Sequence, residues 1–221
     1  MNDIELEKSN AAGIAVSFIK ENMNIGLGTG STAYYVIKKV GELINNGLRI
    51  KAISTSSKTT TLAKKYNIPI LDINNVDYID LTIDGADEVD YNLNLIKGGG
   101  GALLKEKIVA SISKQLIIVI DSTKYVAKLG DFPLPVEVLK INHRHVFKKF
   151  KELGYNPSYR MVNRSFFITD NDNYMIDLKL NRIDDPEDLE KRINYIPGVV
   201  DNGLFIDMAD VVISNKTIYK K

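Results

Sequence analysis

Tyr78-Ile79-Asp80-Leu81-Thr82-Ile83-Asp84-Gly85-Ala86-Asp87-Glu88-Val89-Asp90, followed by Leu95-Ile96-Lys97-Gly98-Gly99-Gly100-Gly101-Ala102-Leu103-Leu104-Lys105-Glu106, places an apolar run, a group of carboxylates, one lysine and four consecutive glycines in one supersecondary unit. The apolar run reads as a strand that ends at Asp84. Open α/β sheets hold their ligands at the carboxyl ends of strands, so Asp84 and Asp87 are candidates for chemistry by position. Four adjacent glycines lose more backbone entropy on ordering than any other residues would, so they signal backbone that passes close to something or adopts positive φ. A helix is expected from Ala102.

On that helix Glu106 has Ala102 and Leu103 at i−4 and i−3 and Val109 and Ala110 at i+3 and i+4. All four helical neighbours are apolar, which points the carboxylate into protein or a cleft. Desolvation there would raise its pKa toward the range useful to a general base. The alternative is a Glu at the edge of the apolar stripe whose head reaches water.

Working outward, the composition is that of a globular protein, with 221 residues, 44% hydrophobic and 26% charged. This length supports one large domain or a medium and a small one. Lys plus Arg number 29 against 28 for Asp plus Glu, so no net field recruits nucleic acid or anionic lipid, and an anion must be held by local geometry. The absence of cysteine excludes disulfides, a thiolate nucleophile and thiolate-bound metal. The acidic, amphipathic N-terminus does not resemble a signal segment, and no apolar run reaches membrane-spanning length; a soluble cytoplasmic protein is expected.

Before the central stretch, residues 4 to 22 place Leu6, Ala11, Ile14, Ala15, Phe18 and Ile19 at helical spacing. Lys8 on this helix is a surface charge or an anion ligand. Asn24-Ile25-Gly26-Leu27-Gly28-Thr29-Gly30-Ser31-Thr32 then reads as a strand, a glycine turn and a helix start that offers amides to an anion, with the helix running to about Asn46. Its spacing matches neither the dinucleotide fingerprint nor a Walker loop. The next strand, Arg49 to Ile53, ends in Ser54-Thr55-Ser56-Ser57 with no acid for an adenosine ribose. Two hydroxyl-rich strand ends suit a small phosphorylated ligand, or else only cap helices. A helix from about Lys58 to Tyr66 and a strand around Ile68 to Leu71 continue a mostly parallel, Rossmann-like sheet.

After the Glu106 helix, Gln115 to Asp121 is a buried strand that delivers Asp121, Ser122, Thr123 and Lys124 to the same edge, where Lys124 is a second candidate phosphate ligand. Asp131-Phe132-Pro133-Leu134-Pro135 breaks the pattern. The expected organisation is a Rossmann-like domain of residues 1–130 plus 205–221 and a smaller α+β, ferredoxin-like domain of residues 131–204 with antiparallel pairing. Its elements are strand Val136 to Lys140, helix His143 to Leu153, strands near Ser158 to Val162 and Phe166 to Asp170, strand Tyr174 to Leu180 and helix Pro186 to Tyr195. Terminal strands Gly203 to Phe205 and Asp210 to Ser214 return the chain to the first domain.

His143 and His145 have a metal-binding spacing but no carboxylate cluster near them in sequence. Asp84, Asp87, Glu88 and Asp90 lack the spacing of an EF-hand, and Lys97 suits neutralisation of developing negative charge. No metal and no cofactor are expected.

Three segments together carry a close resemblance. Gly26-Leu27-Gly28-Thr29-Gly30-Ser31-Thr32, Asp84 to Asp90, and Lys97-Gly98-Gly99-Gly100-Gly101-Ala102 followed by Glu106 resemble the signatures of ribose-5-phosphate isomerase, type A. The likeness spans nearly the whole chain. It implies metal-free interconversion of ribose 5-phosphate and ribulose 5-phosphate in the pentose phosphate pathway, with Glu106 moving a proton between C2 and C1. By the same resemblance Asp84, Asp87 and Lys97 bind sugar oxygens, assist ring opening and stabilise the enediolate. Gly28, Thr29, Gly30, Ser31, Thr32, Gly98, Gly99, Gly100 and Lys124 would lie around the substrate and its phosphate. Lys8, Ser56 and Ser57 match only loosely. The resemblance also implies a sugar phosphate as the only partner besides further copies of the chain, in a homodimer or tetramer, with no nucleic acid or membrane.

A rival reading is the sugar-phosphate sensor domain of a transcription regulator. It predicts a helix-turn-helix and a basic face, neither of which is evident, and leaves Glu106 unexplained.

Overall fold

The computed structural model describes residues 3–221. Its first elements are α1 (Asp3–Val16), β1 (Asn24–Leu27), α2 (Ser31–Asn45), β2 (Lys51–Ser54), α3 (Ser57–Lys65), β3 (Leu81–Asp84), β4 (Glu88–Val89), β5 (Leu95–Ile96), α4 (Leu103–Ser111) and β6 (Leu116–Ile120). There follow β7 (Leu134–Val138), α5 (His143–Glu152), β8 (Pro157–Tyr159), β9 (Met161–Val162), β10 (Ser165–Phe166), β11 (Tyr174–Leu178), α6 (Pro186–Asn194), β12 (Val199–Asn202), β13 (Leu204–Phe205), β14 (Val211–Ser214) and β15 (Thr217–Lys220). These form two compact units. One runs to Ala86 and adds Lys105–Tyr125 and Asp207–Lys221; the other comprises Asp87–Leu104 and Val126–Ile206.

The first unit is built on a six-stranded sheet in the order β15-β14-β6-β3-β1-β2. All its pairs are parallel except β14–β15, an antiparallel edge. Every residue of β6, Leu-Ile-Ile-Val-Ile, is buried, as expected of a central strand covered on both faces. The core joins Ile25, Leu27, Leu81, Ile83, Ile117 and Val119 of the sheet to Val36, Ile37 and Val40 of α2. Because β1 pairs with β2 on one side and β3 on the other, the strand order reverses at β1. That reversal is the switch point where such sheets open a ligand crevice, and the segments after β1 and β3 border it.

The expected first helix is shorter than residues 4 to 22, ending at Val16 where Ser17, Phe18 and Ile19 donate to carbonyls three residues back. Its buried face is small, Ala11, Ala12 and Ala15, whereas Leu6 is half exposed. The strand expected at Ile68 to Leu71 is a single parallel bridge, Ala52 to Ile70. Pro69 has no N–H to extend it, and only its carbonyl accepts, from Ala52 N–H at 2.8 Å.

The second unit contains an antiparallel sheet in the order β12-β7-β11-β8. The chain sequence β7-α5-β8-β11-α6-β12 is the split βαβ arrangement of ferredoxin-like units. Val136, Val138, Ile176 and Leu178 on one face pack with Val146 and Phe150 of α5 and Leu189 and Ile193 of α6. The unit extends beyond residues 131–204 to take in Asp87–Leu104, since β5 pairs with both β4 and β13. Return of the chain to the parallel sheet therefore begins with β14, while β13 stays in this unit.

Candidate active site

Parallel pairing brings the carboxyl ends of β1, β2, β3 and β6 to one edge of the first unit, each followed by residues singled out in the sequence. After β1, Gly28 N–H donates to Ile83 O at 3.0 Å and Thr29 N–H to Asp84 Oδ1 at 3.1 Å. Gly85 N–H donates to the same oxygen at 2.7 Å. Two backbone amides thus fix the Asp84 carboxylate, which is 2% exposed.

Thr29 Oγ1 lies 2.8 Å from Thr55 Oγ1, 2.8 Å from Ser56 Oγ and 3.1 Å from Thr59 Oγ1. Thr59 Oγ1 donates to Gly28 O at 2.8 Å, and Ser56 Oγ caps α3 by accepting from Thr59 N–H at 3.1 Å. The hydroxyls after β2 therefore brace the glycine turn from behind as well as capping a helix. The sequence alone does not single out Thr59, because its part depends on how α3 packs. Gly30 is the N-cap of α2 and supplies no side-chain cap. The first turn of a 15-residue helix is consequently left for another acceptor at Ser31 and Thr32.

Glu106 lies in the first turn of α4 and is 4% exposed. Ala102, Leu103, Val109 and Ala110 are all buried around it in sequence, so the carboxylate is interior and the stripe-edge alternative is excluded. Asp121 holds the turn after β6, accepting from Thr123 N–H at 3.1 Å, and leaves Lys124 half-buried on it.

The remaining expected site residues lie in the second unit. Asp87 N–H donates to Ile96 O at 2.8 Å, and its Oδ2 accepts from Gly99 N–H at 2.7 Å. Lys97, 3% exposed, has its N–H on Gly203 O at 2.9 Å and its Nζ 5.4 Å from the Phe205 ring centroid. Gly99 and Gly100 are exposed. Arg160, absent from the sequence reading, donates from Nη1 to Gly98 O at 2.7 Å.

The other acids have structural work. Glu88 accepts from Gly130 N–H at 2.7 Å and Phe132 N–H at 2.6 Å; Asp90 accepts from Asn92 N–H at 2.9 Å and Asn94 N–H at 2.8 Å. His143 Nδ1 lies 2.8 Å from Tyr159 Oη within a cluster including Phe166 and Tyr174, whereas His145 is exposed. Lys8 pairs with Glu5 at 3.1 Å. Among the described residues, no group of three or more His, Asp or Glu side chains is placed to hold a metal. No described helix is long and apolar enough to cross a membrane.

Residues 51–217 match the family model of ribose 5-phosphate isomerase A (phosphoriboisomerase A). A ribose-5-phosphate isomerase A of Streptococcus pneumoniae is 50% identical over 204 residues, which cover 91% of this chain and 90% of the relative. A D-ribose-5-phosphate isomerase solved in complex with phospho-erythronic acid superposes with a TM-score of 0.96 at 42% identity, covering 100% of both chains. The ribose 5-phosphate isomerase A of Methanocaldococcus jannaschii does so with a TM-score of 0.93 at 40% identity, again over 100% of both.

Proposed function

The chain belongs to the ribose 5-phosphate isomerase A family and interconverts ribose 5-phosphate and ribulose 5-phosphate through an enediol in the non-oxidative pentose phosphate pathway; from that premise we propose that Glu106 is the base that moves the proton. The observation that carries the proposal is a carboxylate buried in the first turn of α4, directly after the glycine loop. Aldose-ketose isomerisation needs one base able to reach two adjacent carbons, donors for an oxyanion that alternates between O1 and O2, and exclusion of water. Glu106 takes the proton from C2 of the open-chain aldose and returns it to C1.

Asp84, Asp87 and Lys97 are assigned to the sugar oxygens and ring opening, with the Lys97 ammonium offsetting enediolate charge. The phosphate is assigned to Gly28–Thr32 at the start of α2 together with Lys124, and the amides of Gly98–Gly100 to the sugar end. A phosphorylated four-carbon sugar acid, the ligand named for one relative, fits the same assignment: its carboxylate carries two coplanar oxygens, as a cis-enediolate does. All these residues fall within 1–130, so residues 131–204 are assigned a supporting part.

The protein is proposed to act in the cytoplasm, as a dimer or tetramer. In the second unit Ile141 and Tyr195 are 90% and 84% exposed, and Asn142 Nδ2 ties their segments by donating to Pro197 O at 2.8 Å. An apolar pair of this kind suits contact with another copy.

The catalytic assignment is tested by isomerisation in D2O. Wild type should place solvent deuterium on the transferred position, and Glu106→Gln should show neither exchange nor turnover. Exchange persisting in the variant would move the base elsewhere.

A further inference from the structure

The loop Gly98–Gly101 is gripped by two residues of the second unit that face it from one hairpin. Arg160 lies two residues beyond Ser158, the register partner of Asp177, so the two side chains leave the same face of the sheet. Arg160 Nε donates to Asp177 Oδ2 at 2.9 Å, and Nη2 to Asp177 Oδ1. This largely buried pair occupies the edge of the guanidinium formed by Nε and Nη2. Nη1 remains, and donates to Gly98 O at 2.7 Å and Gly99 O at 3.2 Å.

The Gly98–Gly99 peptide is trans, so its C=O and N–H point in opposite directions. Its carbonyl receives Arg160, and its N–H donates to Asp87 Oδ2 at 2.7 Å. One peptide group therefore links the guanidinium to Asp87. A cation on the carbonyl polarises the peptide and strengthens the N–H as a donor. Phe167 completes the grip. Its N–H donates to Arg160 O at 2.9 Å, and its ring fills the space beside Gly101, where a Cβ would lie 2.3 Å from Cζ.

We propose that Arg160, oriented by Asp177, is a positioning residue for the isomerisation: it acts through the Gly98–Gly99 peptide to fix the Asp87 carboxylate and the exposed amides of the loop. The inference rests on the reading that Asp87 belongs to the substrate site. Lysine cannot replace the fork, because a single ammonium does not hold both carboxylate oxygens and two carbonyls in one plane.

The test is a double-mutant cycle on kcat and KM for ribose 5-phosphate with Arg160→Lys, Asp87→Asn and the combined variant. Thermal midpoints and circular dichroism establish the folded fraction. Arg160→Lys should lower kcat by about tenfold or more per folded molecule, and by less than about threefold when Asp87 is already Asn, because coupled residues are non-additive. Equal losses in both backgrounds, or a loss that disappears once activity is expressed per folded molecule, would overturn the inference. If Asp87→Asn alone turned over at the wild-type rate, the site reading would fail and take the inference with it. Should Arg160→Lys not fold, Asp177→Asn, which releases the fork but keeps the guanidinium, carries the same comparison.

Discussion

Gly28 lies so close to Asp84 that a Cβ at position 28 would fall 1.9 Å from Asp84 Oδ1, 2.2 Å from Cγ and 2.6 Å from Cα. Rotating the Asp84 side chain would not relieve the contact, because backbone is also in the way. Gly28→Ala should therefore separate β1 from β3 where the candidate site begins. Overpacking of this kind costs about 1–3 kcal/mol, which lowers the thermal midpoint by a few degrees in a chain of this size. Activity should fall further than stability, by about a hundredfold or more in kcat/KM, since displacement by about 1 Å is enough for that. A variant with a lowered midpoint but wild-type kcat/KM would detach Asp84 from the reaction.

That contact was only half legible beforehand. The glycines after β1 and the acid ending β3 announce themselves in sequence, but their adjacency depends on the order of strands, which no local pattern encodes. Leu116–Ile120 was readable because a strand buried on both faces is continuously apolar. The two-residue strands β4 and β5 were not, because two residues carry no period. Ile68–Leu71 imitated a strand until Pro69 limited it to one bridge. Arg160 carries no local signal for a further reason: antiparallel register brings Asp177 to it and the fold of the glycine loop brings Gly98, and neither is near it in the chain. Glu106 was legible because helical spacing alone surrounds it with apolar residues.

Phosphate should be required for efficient turnover, because with 29 basic against 28 acidic residues only local geometry can hold an anion. Free ribose should be a poor substrate, and Lys124→Gln should raise KM about tenfold, the equivalent of about 1.4 kcal/mol. Similar kcat/KM for ribose and ribose 5-phosphate would count against the site at the start of α2.

Exhaustive dialysis against EDTA should leave the rate unchanged. The acids that might chelate are committed to backbone amides: Asp84 to Thr29 and Gly85, Asp87 to Gly99, Glu88 to Gly130 and Phe132, Asp90 to Asn92 and Asn94. Activity lost to EDTA and restored by Mg²⁺ or Mn²⁺ would reverse this assignment.

Burial, and secondarily the neighbouring Arg144 charge, hold the His143 imidazole below its ordinary pKa. The unfolded chain then binds more protons than the folded one below about pH 6.5. The contribution of His143 to stability is complete above that pH and is lost as pH falls toward the folded value. His143→Phe should accordingly flatten the fall of the thermal midpoint as the pH drops below about 6.5. An unchanged pH dependence would show that His143 is not linked to folding.

Glu106→Gln keeps the shape and reach of the side chain and removes the oxygen that must accept the substrate proton. Binding should persist while chemistry fails. General-base groups contribute about 10²- to 10⁴-fold, so kcat should drop by at least about a thousandfold with KM changed only a few-fold. Stability should change far less than rate. At 4% exposure the side chain is packed, and glutamine keeps its volume, so the thermal midpoint should shift by no more than a few degrees. Loss of rate without loss of stability distinguishes a catalytic carboxylate from one that merely supports α4, for which both would fall together. Turnover near the wild-type rate would remove Glu106 from the mechanism and leave Asp84 and Asp87 as the carboxylates to test as the base.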